Sequence, residues 1–298
     1  MCTERASPRY SRLDVWDASD VLESMIEGQF TAVAAVFAAR QSIESAAHEI
    51  EARLRHRGRL IYAGAGTSGR LALQDAVELM PTFNWPEERL LLLMAGGPEA
   101  LLRSVEGAED DAAQAALLIE QHAVNANDVL IAVAASGSTP FTLACLRAAK
   151  RRSALTVGIA NNRATPILEE SDFPIWLETG AEPIAGSTRL KAGTAQKITL
   201  NALSTLVMIL LGKVYQGLMV DVRISNEKLK RRGEEMLVQL TGCGLNGARD
   251  ALIRAGGSVK LAVLLLYGCE LENAVELLNR SSGRLQQAIG HLKDATRT

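Results

Sequence analysis

The sequence predicts an α/β protein: a five-stranded parallel sheet covered by helices on both faces, followed by a small all-helical C-terminal region. Two observations predict the sheet. Short apolar runs of strand length alternate with helical patterns and lack hairpin turns between them. Two of those runs, Leu60-Ile61-Tyr62-Ala63 and Asp128-Val129-Leu130-Ile131-Ala132-Val133-Ala134-Ala135, pass into turns rich in glycine and hydroxyls that open helices. A third observation predicts the C-terminal region. Past Asn226 the strand pattern stops, and Gly242, Gly244, Gly256-Gly257 and Gly268 punctuate short helices.

The 298 residues suffice for one large or two modest domains, and 48% hydrophobic with 22% charged content is that of an ordinary globular chain. A net charge of −2 gives no reason to expect nucleic acid as a partner. The basic runs Arg53, Arg55, Arg57, Arg59 and Lys228, Lys230, Arg231, Arg232 read as solvated, dipole-matched helix ends. Cys2, Cys145, Cys243 and Cys269 are scattered without a C-x-x-C pair, so no disulfide framework is expected; Cys145 and Cys269 read as buried free thiols. No metal-ligand spacing occurs among the histidines. The N-terminus has no apolar signal core, and Leu203–Leu211 is too short to span a bilayer. A cytosolic protein is expected.

Residues 1–18 read as an extended arm containing Pro8, and helix begins at Ala18. Phe30, Val33 and Phe37, then Ile43, Ile50 and Leu54, mark one apolar face, and Gly58 ends the second helix. The first strand begins at Leu60 and runs into the turn that opens at Gly64. The helix after it runs from Thr67 or Ser68 through Leu71 to Leu79, where Pro81 stops it. Arg89–Met94, Asp128–Ala134, Ala154–Ala160 and Pro174–Leu177 are the remaining strands, and a long helix covers about Ala192–Leu211. The organisation expected is an N-terminal arm and helix (1–45), an α/β domain (46–225) and a helical region (226–298).

The chemistry sits at the turns. In Gly64-Ala65-Gly66-Thr67-Ser68-Gly69-Arg70 the backbone can approach a ligand closely, and the first helical N–H groups lack intrahelical partners, which makes an anion site. Taken alone, Thr67 or Ser68 serves equally well as a helix cap. The second turn, Ser136-Gly137-Ser138-Thr139-Pro140, tips the balance toward two sides of one phosphate site at the strand carboxyl ends. Gly64, Gly66 and Gly69 match G-x-G-x-x-G, but a dinucleotide fold needs an acid at the end of the second strand, where this chain has Ala95-Gly96-Gly97. Glu78 at a helix end reads first as a solvent-facing residue, and Glu106, Glu109, Asp110 and Asp111 as acids complementing a helix start. Arg189 and Lys191 stand where the long helix begins, the end that repels cations, so an anion there would repair the mismatch.

These blocks resemble the sugar isomerase (SIS) domain, a phosphosugar-binding three-layer α/β sandwich. More narrowly the chain is similar to the N-acetylmuramic acid 6-phosphate etherases. The likeness is carried by Gly64–Arg70, Asp75-Ala76-Val77-Glu78, Val105–Asp110, Ala134–Pro140, Gly186–Lys197, and Leu218–Val222 with Asn226–Leu229, and it covers nearly the whole chain. It implies cleavage of a lactyl ether by elimination and water addition in cell-wall amino-sugar recycling, with Glu78 as acid and Glu109 as base. It also implies sugar-phosphate contacts from Gly66, Thr67, Ser68, Ser136, Gly137, Ser138, Thr139, Ser187, Thr188 and Lys191, no metal or redox cofactor, and a homodimer. The chain departs from the family pattern at Val77, Met80-Pro81, Ser138 and Ser7. Ten residues of continuous helix between Ser68 and Glu78 would span about 15 Å. Either the substrate crosses that distance or Glu78 serves a partner's site. Two other functions share these motifs: a non-catalytic sugar-phosphate sensor of the glucokinase-regulator type, against which both glutamates argue, and an SIS sugar-phosphate isomerase.

Overall fold

The computed structural model describes residues 2–55, 57–222, 224 and 226–295. The chain forms two compact units, Met1–Ala76 with Glu88–Leu206, and Val77–Glu87 with Val207–Thr298.

In chain order, α1 (Ala18–Ala38) and α2 (Arg40–Arg55) precede β1 (Leu60–Gly64), α3 (Gly66–Val77) and α4 (Leu79–Phe83). Then follow β2 (Leu90–Met94), α5 (Ala112–Gln121), β3 (Val129–Val133), α6 (Pro140–Arg151), β4 (Leu155–Ala160), α7 (Pro166–Glu170), β5 (Phe173–Trp176) and α8 (Lys191–Leu210). The five strands form one parallel sheet in the order β2-β1-β3-β4-β5, with Gly64 opposite Met94 on one side and Val133 on the other. The expected strands are all present within a residue or two. β1, β3 and β4 are buried along their whole lengths, as apolar strands covered on both faces must be. Alternation divides their side chains: Ile61, Ala63, Leu130 and Ala132 pack against Ile119, Phe141, Cys145 and Leu146 of α5 and α6, and α2 covers β3–β5 from the other side.

The two edges of the sheet are fastened differently. At the strands' amino ends Asp128, 1% exposed, accepts from Arg59 Nε (3.1 Å) and Nη2 (2.6 Å), and Lys150 pairs with Asp172 at 3.0 Å. Neutral groups hold the carboxyl ends: Gln196 Nε2 donates to Asn161 Oδ1 (2.9 Å), and Asn161 Nδ2 donates to Leu177 O and Thr179 Oγ1.

Three expectations need correction. The face assigned to residues 30–54 splits. Ile43, Ile50 and Leu54 are buried, whereas Phe30 is 71% and Phe37 68% exposed and continue a stripe with Leu22, Ile26 and Val33. α1 instead buries its small residues, Gly28, Ala32 and Ala35 among them. By length and composition α1 would suffice to cross a membrane, although only 28% of that apolar window is buried. Pro81 does not stop a helix. α3 ends at Val77, and Pro81 lies in the first turn of α4, where its missing N–H has no intrahelical partner to lose. The basic runs are not merely solvated: Arg53 donates to Ala126 O, Arg55 pairs with Glu51 and Arg59 with Asp128. Lys228, Arg231 and Arg232 lie at the amino end of their helix, against the dipole.

In the second unit the hairpin β6 (Val214–Tyr215) and β7 (Leu218–Met219) turns through Gln216 and Gly217, both at left-handed φ (49° and 76°). This hairpin lies outside the five-stranded sheet, whose strands are joined without hairpins. Five helices follow: α9 (Glu227–Thr241), α10 (Leu245–Arg254), α11 (Val259–Leu266), α12 (Leu271–Arg280) and α13 (Leu285–Ala295). Their core includes Leu237, Leu252, Val263, Leu264 and Leu285. Lys260, 5% exposed, donates to Asp221 Oδ2 (2.6 Å) and Gly283 O (2.8 Å); burial lowers its pKa against the pull of Asp221.

Candidate active site

The sheet order reverses between β1 and β3, and the two hydroxyl-rich turns leave those neighbouring strands at their carboxyl ends. Strand spacing of about 5 Å therefore sets them side by side. After β1, α3 begins at Gly66, with Ser68 8% exposed in its first turn. After β3, Ser136 Oγ and Thr139 Oγ1 lie 3.2 Å apart, and Ser138 N donates to Ser136 Oγ (3.2 Å). Thr139 is the N-cap residue of α6, with its side chain making no cap bond and Pro140 next. Gly137 is required here. Its φ is +71°, and a Cβ would lie 2.2 Å from Thr165 Oγ1.

A third polar segment, Ala185–Lys191 before α8, reaches the same place. Gly193 in the first turn of α8 comes beside Thr67 and Leu71 of α3, each 3.6 Å from where its Cβ would be. Ser187 and Thr188 are half-buried in the turn just before α8. The anion that the cations at this helix start call for is internal. Glu182, fully buried, accepts from Lys191 N (3.1 Å) and Ala192 N (2.9 Å), while Lys191 Nζ donates to Ala181 O (2.6 Å). Burial lowers the pKa of Lys191, and the Glu182 charge opposes that shift. In the sequence nothing marks Glu182 except the unrepaired helix start.

A cavity of about 320 Å³ opens between the β1–α3 turn and the loop after β2, lined by Gly66, Arg70, Ser104, Glu106 and Glu109 among others. Gly96, φ +80°, lets that loop fold back on the strand end: a Cβ would sit 2.9 Å from Val105 Cβ and 3.2 Å from Ala108 Cβ. Arg70 Nε donates to Ala100 O (2.9 Å), tying the loop to α3. Glu109 is exposed in a single 3₁₀ turn, Ala108–Asp110, at the cavity. The capping reading of these acids holds for Asp111, which accepts from Gln114 N (2.8 Å) at the start of α5. Asp75 is clamped by neutral donors: Tyr62 Oη (2.9 Å), Asn201 Nδ2 (2.6 Å) and Ser204 Oγ (3.1 Å). Complete burial beside Asp75 pushes the Tyr62 phenol well above its ordinary value.

Glu78 belongs to the second unit, where it is exposed and is the N-cap residue of α4. Among the described residues no cluster of three or more His, Cys, Asp or Glu is placed to ligate a metal.

The five-stranded parallel sheet with two hydroxyl-rich turns at its switch point is the architecture of an α/β protein of the SIS class. The SIS domain model matches residues 110–206, and the model of the glucokinase regulatory protein N-terminal SIS domain matches residues 42–150. The N-acetylmuramic acid 6-phosphate etherase of Deinococcus radiodurans is 46% identical over 97% of this chain and 95% of its own length. Those of Geobacillus thermodenitrificans (43%, 97% of this chain, 98% of the relative) and Streptomyces coelicolor (42%, 97% and 93%) are similarly related. A phosphoheptose isomerase from Francisella tularensis superposes at a TM-score of 0.49 with 17% identity, covering 65% of this chain and all of the other. The chain belongs to the N-acetylmuramic acid 6-phosphate etherase family.

Proposed function

We infer that the chain cleaves the D-lactyl ether of N-acetylmuramic acid 6-phosphate, releasing D-lactate and N-acetylglucosamine 6-phosphate. The observation that carries this is 46% identity to an etherase along 97% of the chain. The phosphate is read onto Gly66, Thr67 and Ser68, the Ser136–Thr139 turn, and Ser187, Thr188 and Lys191. Support comes from the adjacency of the turns and from helix starts that present N–H groups. With Glu182 already on the first N–H groups of α8, the weight of anion binding falls on α3 and α6.

Glu109 is the base and Glu78 the acid in this reading. Its support is the family motif and, for Glu109, a place on the cavity beside the β1–α3 turn. In the open-chain sugar the aldehyde acidifies the carbon-2 proton. Glu109 takes that proton, the electron pair forms the carbon-2–carbon-3 double bond, and the carbon-3–oxygen bond breaks as Glu78 protonates the departing lactate oxygen. Water then adds its oxygen to carbon-3, and a proton returns to carbon-2. The reading includes a cytosolic location and a homodimer, for which the exposed α1 stripe offers an apolar surface.

The test is to incubate the protein with the muramic acid phosphate in deuterated, oxygen-18 water. D-lactate should appear, with deuterium at carbon-2 and labelled oxygen at carbon-3 of the sugar. Glu109→Gln should lower the rate by 10²–10⁴-fold. Sugar-phosphate binding without lactate release would instead identify a sensor, and release without deuterium uptake would refute the elimination.

A further inference from the structure

Two of the turns in the phosphate reading, Ser136–Thr139 and Gly186–Thr188, lie about fifty residues apart in the chain. A buried bridge joins Ala135, just before the first turn, to Gly186, which opens the second. Asn162, just past β4 and 3% exposed, donates from Nδ2 to Ala135 O (2.9 Å) and to Thr3 Oγ1 (2.7 Å). Its Oδ1 accepts from Cys2 N (2.6 Å) and Thr3 N (3.2 Å). Thr3, 0% exposed, completes the span, since its carbonyl accepts from Gly186 N at 3.0 Å. All four hydrogen-bonding positions of the Asn162 amide are used. An aspartate could not donate to Ala135 O, and an apolar residue could serve neither end. The N-terminal segment, which reads as an extended arm, is thus built into the carboxyl edge of the sheet.

We propose that Asn162 and Thr3 are positioning residues for phosphate recognition, holding the Ser136 and Ser187 turns at the spacing at which both address one phosphate. The proposal rests on the phosphate reading above. Neither side chain touches the ligand. Their effect is on binding, because the carbon-2 chemistry is assigned to other segments. A bridge that served folding alone would change stability and leave KM in place.

The experiment compares Asn162→Ala, Thr3→Val, Thr3→Ser and Ser136→Ala with the parent protein. It measures KM and kcat for lactate release and the competitive inhibition constant of inorganic phosphate, with folding checked by circular dichroism. Asn162→Ala should raise KM and the phosphate constant about tenfold, equivalent to about 1.4 kcal/mol, with kcat held within about twofold. Thr3→Val should raise both about threefold, Thr3→Ser should restore them, and Thr3→Val added to Asn162→Ala should add nothing, since both cut one link. If Asn162→Ala does not fold, Thr3→Val and its serine rescue decide the matter, because only one hydroxyl is exchanged for a methyl. Constants unchanged in the bridge variants but raised in Ser136→Ala would overturn the bridge and leave the phosphate site standing. Constants unchanged in Ser136→Ala as well would overturn the phosphate reading beneath it. A fall in kcat at constant KM would also refute the positioning role.

Discussion

Replacing Glu182 by glutamine tests how the start of α8 is held. The carboxylate accepts two backbone N–H bonds, from Lys191 at 3.1 Å and Ala192 at 2.9 Å, and is fully buried. Glutamine keeps the shape but can accept only through one oxygen, and its NH₂ then faces a backbone N–H. One charge-assisted bond, about 1.5–3 kcal/mol, is lost. The interaction of the charge with the helix dipole, about 1 kcal/mol or more in a buried setting, goes with it. The buried Lys191 also loses the charge that opposes its desolvation. The sum is about 3 kcal/mol, so hydrogen exchange across the first two turns of α8 should accelerate by about two orders of magnitude. Peptide-resolved exchange measured by mass spectrometry reads this directly. Acceleration below about threefold would show that water or another acceptor satisfies that helix start, and would refute the role of Glu182 as its internal anion.

Alkylation with iodoacetamide in the native state should modify the exposed Cys2 and spare Cys145, whose thiol burial pushes up to about 12; rapid labelling of Cys145 would mean that the α6 core opens readily. For Asp128, burial alone would raise the pKa, but the Arg59 and Asn125 donors outweigh it and hold the value below 3.8. That contribution is present in full above the ordinary carboxylate pKa and lost as pH falls through the lowered one. Asp128→Asn should therefore be less stable than the parent by a constant margin above about pH 5 in urea titrations, and the margin should shrink below about pH 4; a pH-independent margin would refute the assignment. Phe30→Asp with Phe37→Asp should convert a dimer to monomers in analytical ultracentrifugation without changing the circular dichroism, because both rings are exposed within one chain. A dimer that persists would place its interface elsewhere.

The sheet was legible because its strands are buried on both faces and written as unbroken apolar runs such as Val129–Val133, which no amphipathic alternative imitates. The turns were legible through glycine and hydroxyl chemistry, and Gly137 shows why, since neither its φ nor the space beside Thr165 admits a Cβ. Periodicity misled at α1. A stripe of Leu22, Ile26, Phe30, Val33 and Phe37 has core spacing, but spacing does not say which side of a helix is buried. The small residues Gly28, Ala32 and Ala35 took that side. Asn162 and Thr3 were invisible for another reason. They act through hydrogen bonds between residues 159 apart in the chain, and such bonds leave no local pattern.

The contrast between the two edges of the sheet bears on how the molecule meets a charged ligand. Its amino edge is closed by formal charges, Arg59 with Asp128 and Lys150 with Asp172, whose attraction salt screens and acid removes. At the carboxyl edge amides and hydroxyls do the fastening, through Asn161, Asn162, Gln196 and Thr3, and ions in solution have little there to screen. An arriving dianion therefore meets oriented dipoles and Lys191, whose ammonium donates to the Ala181 carbonyl rather than to a carboxylate. High salt should loosen the scaffold on the side away from the ligand while the ligand side keeps its shape, so binding should weaken under salt only as far as bulk anions compete for the same turns.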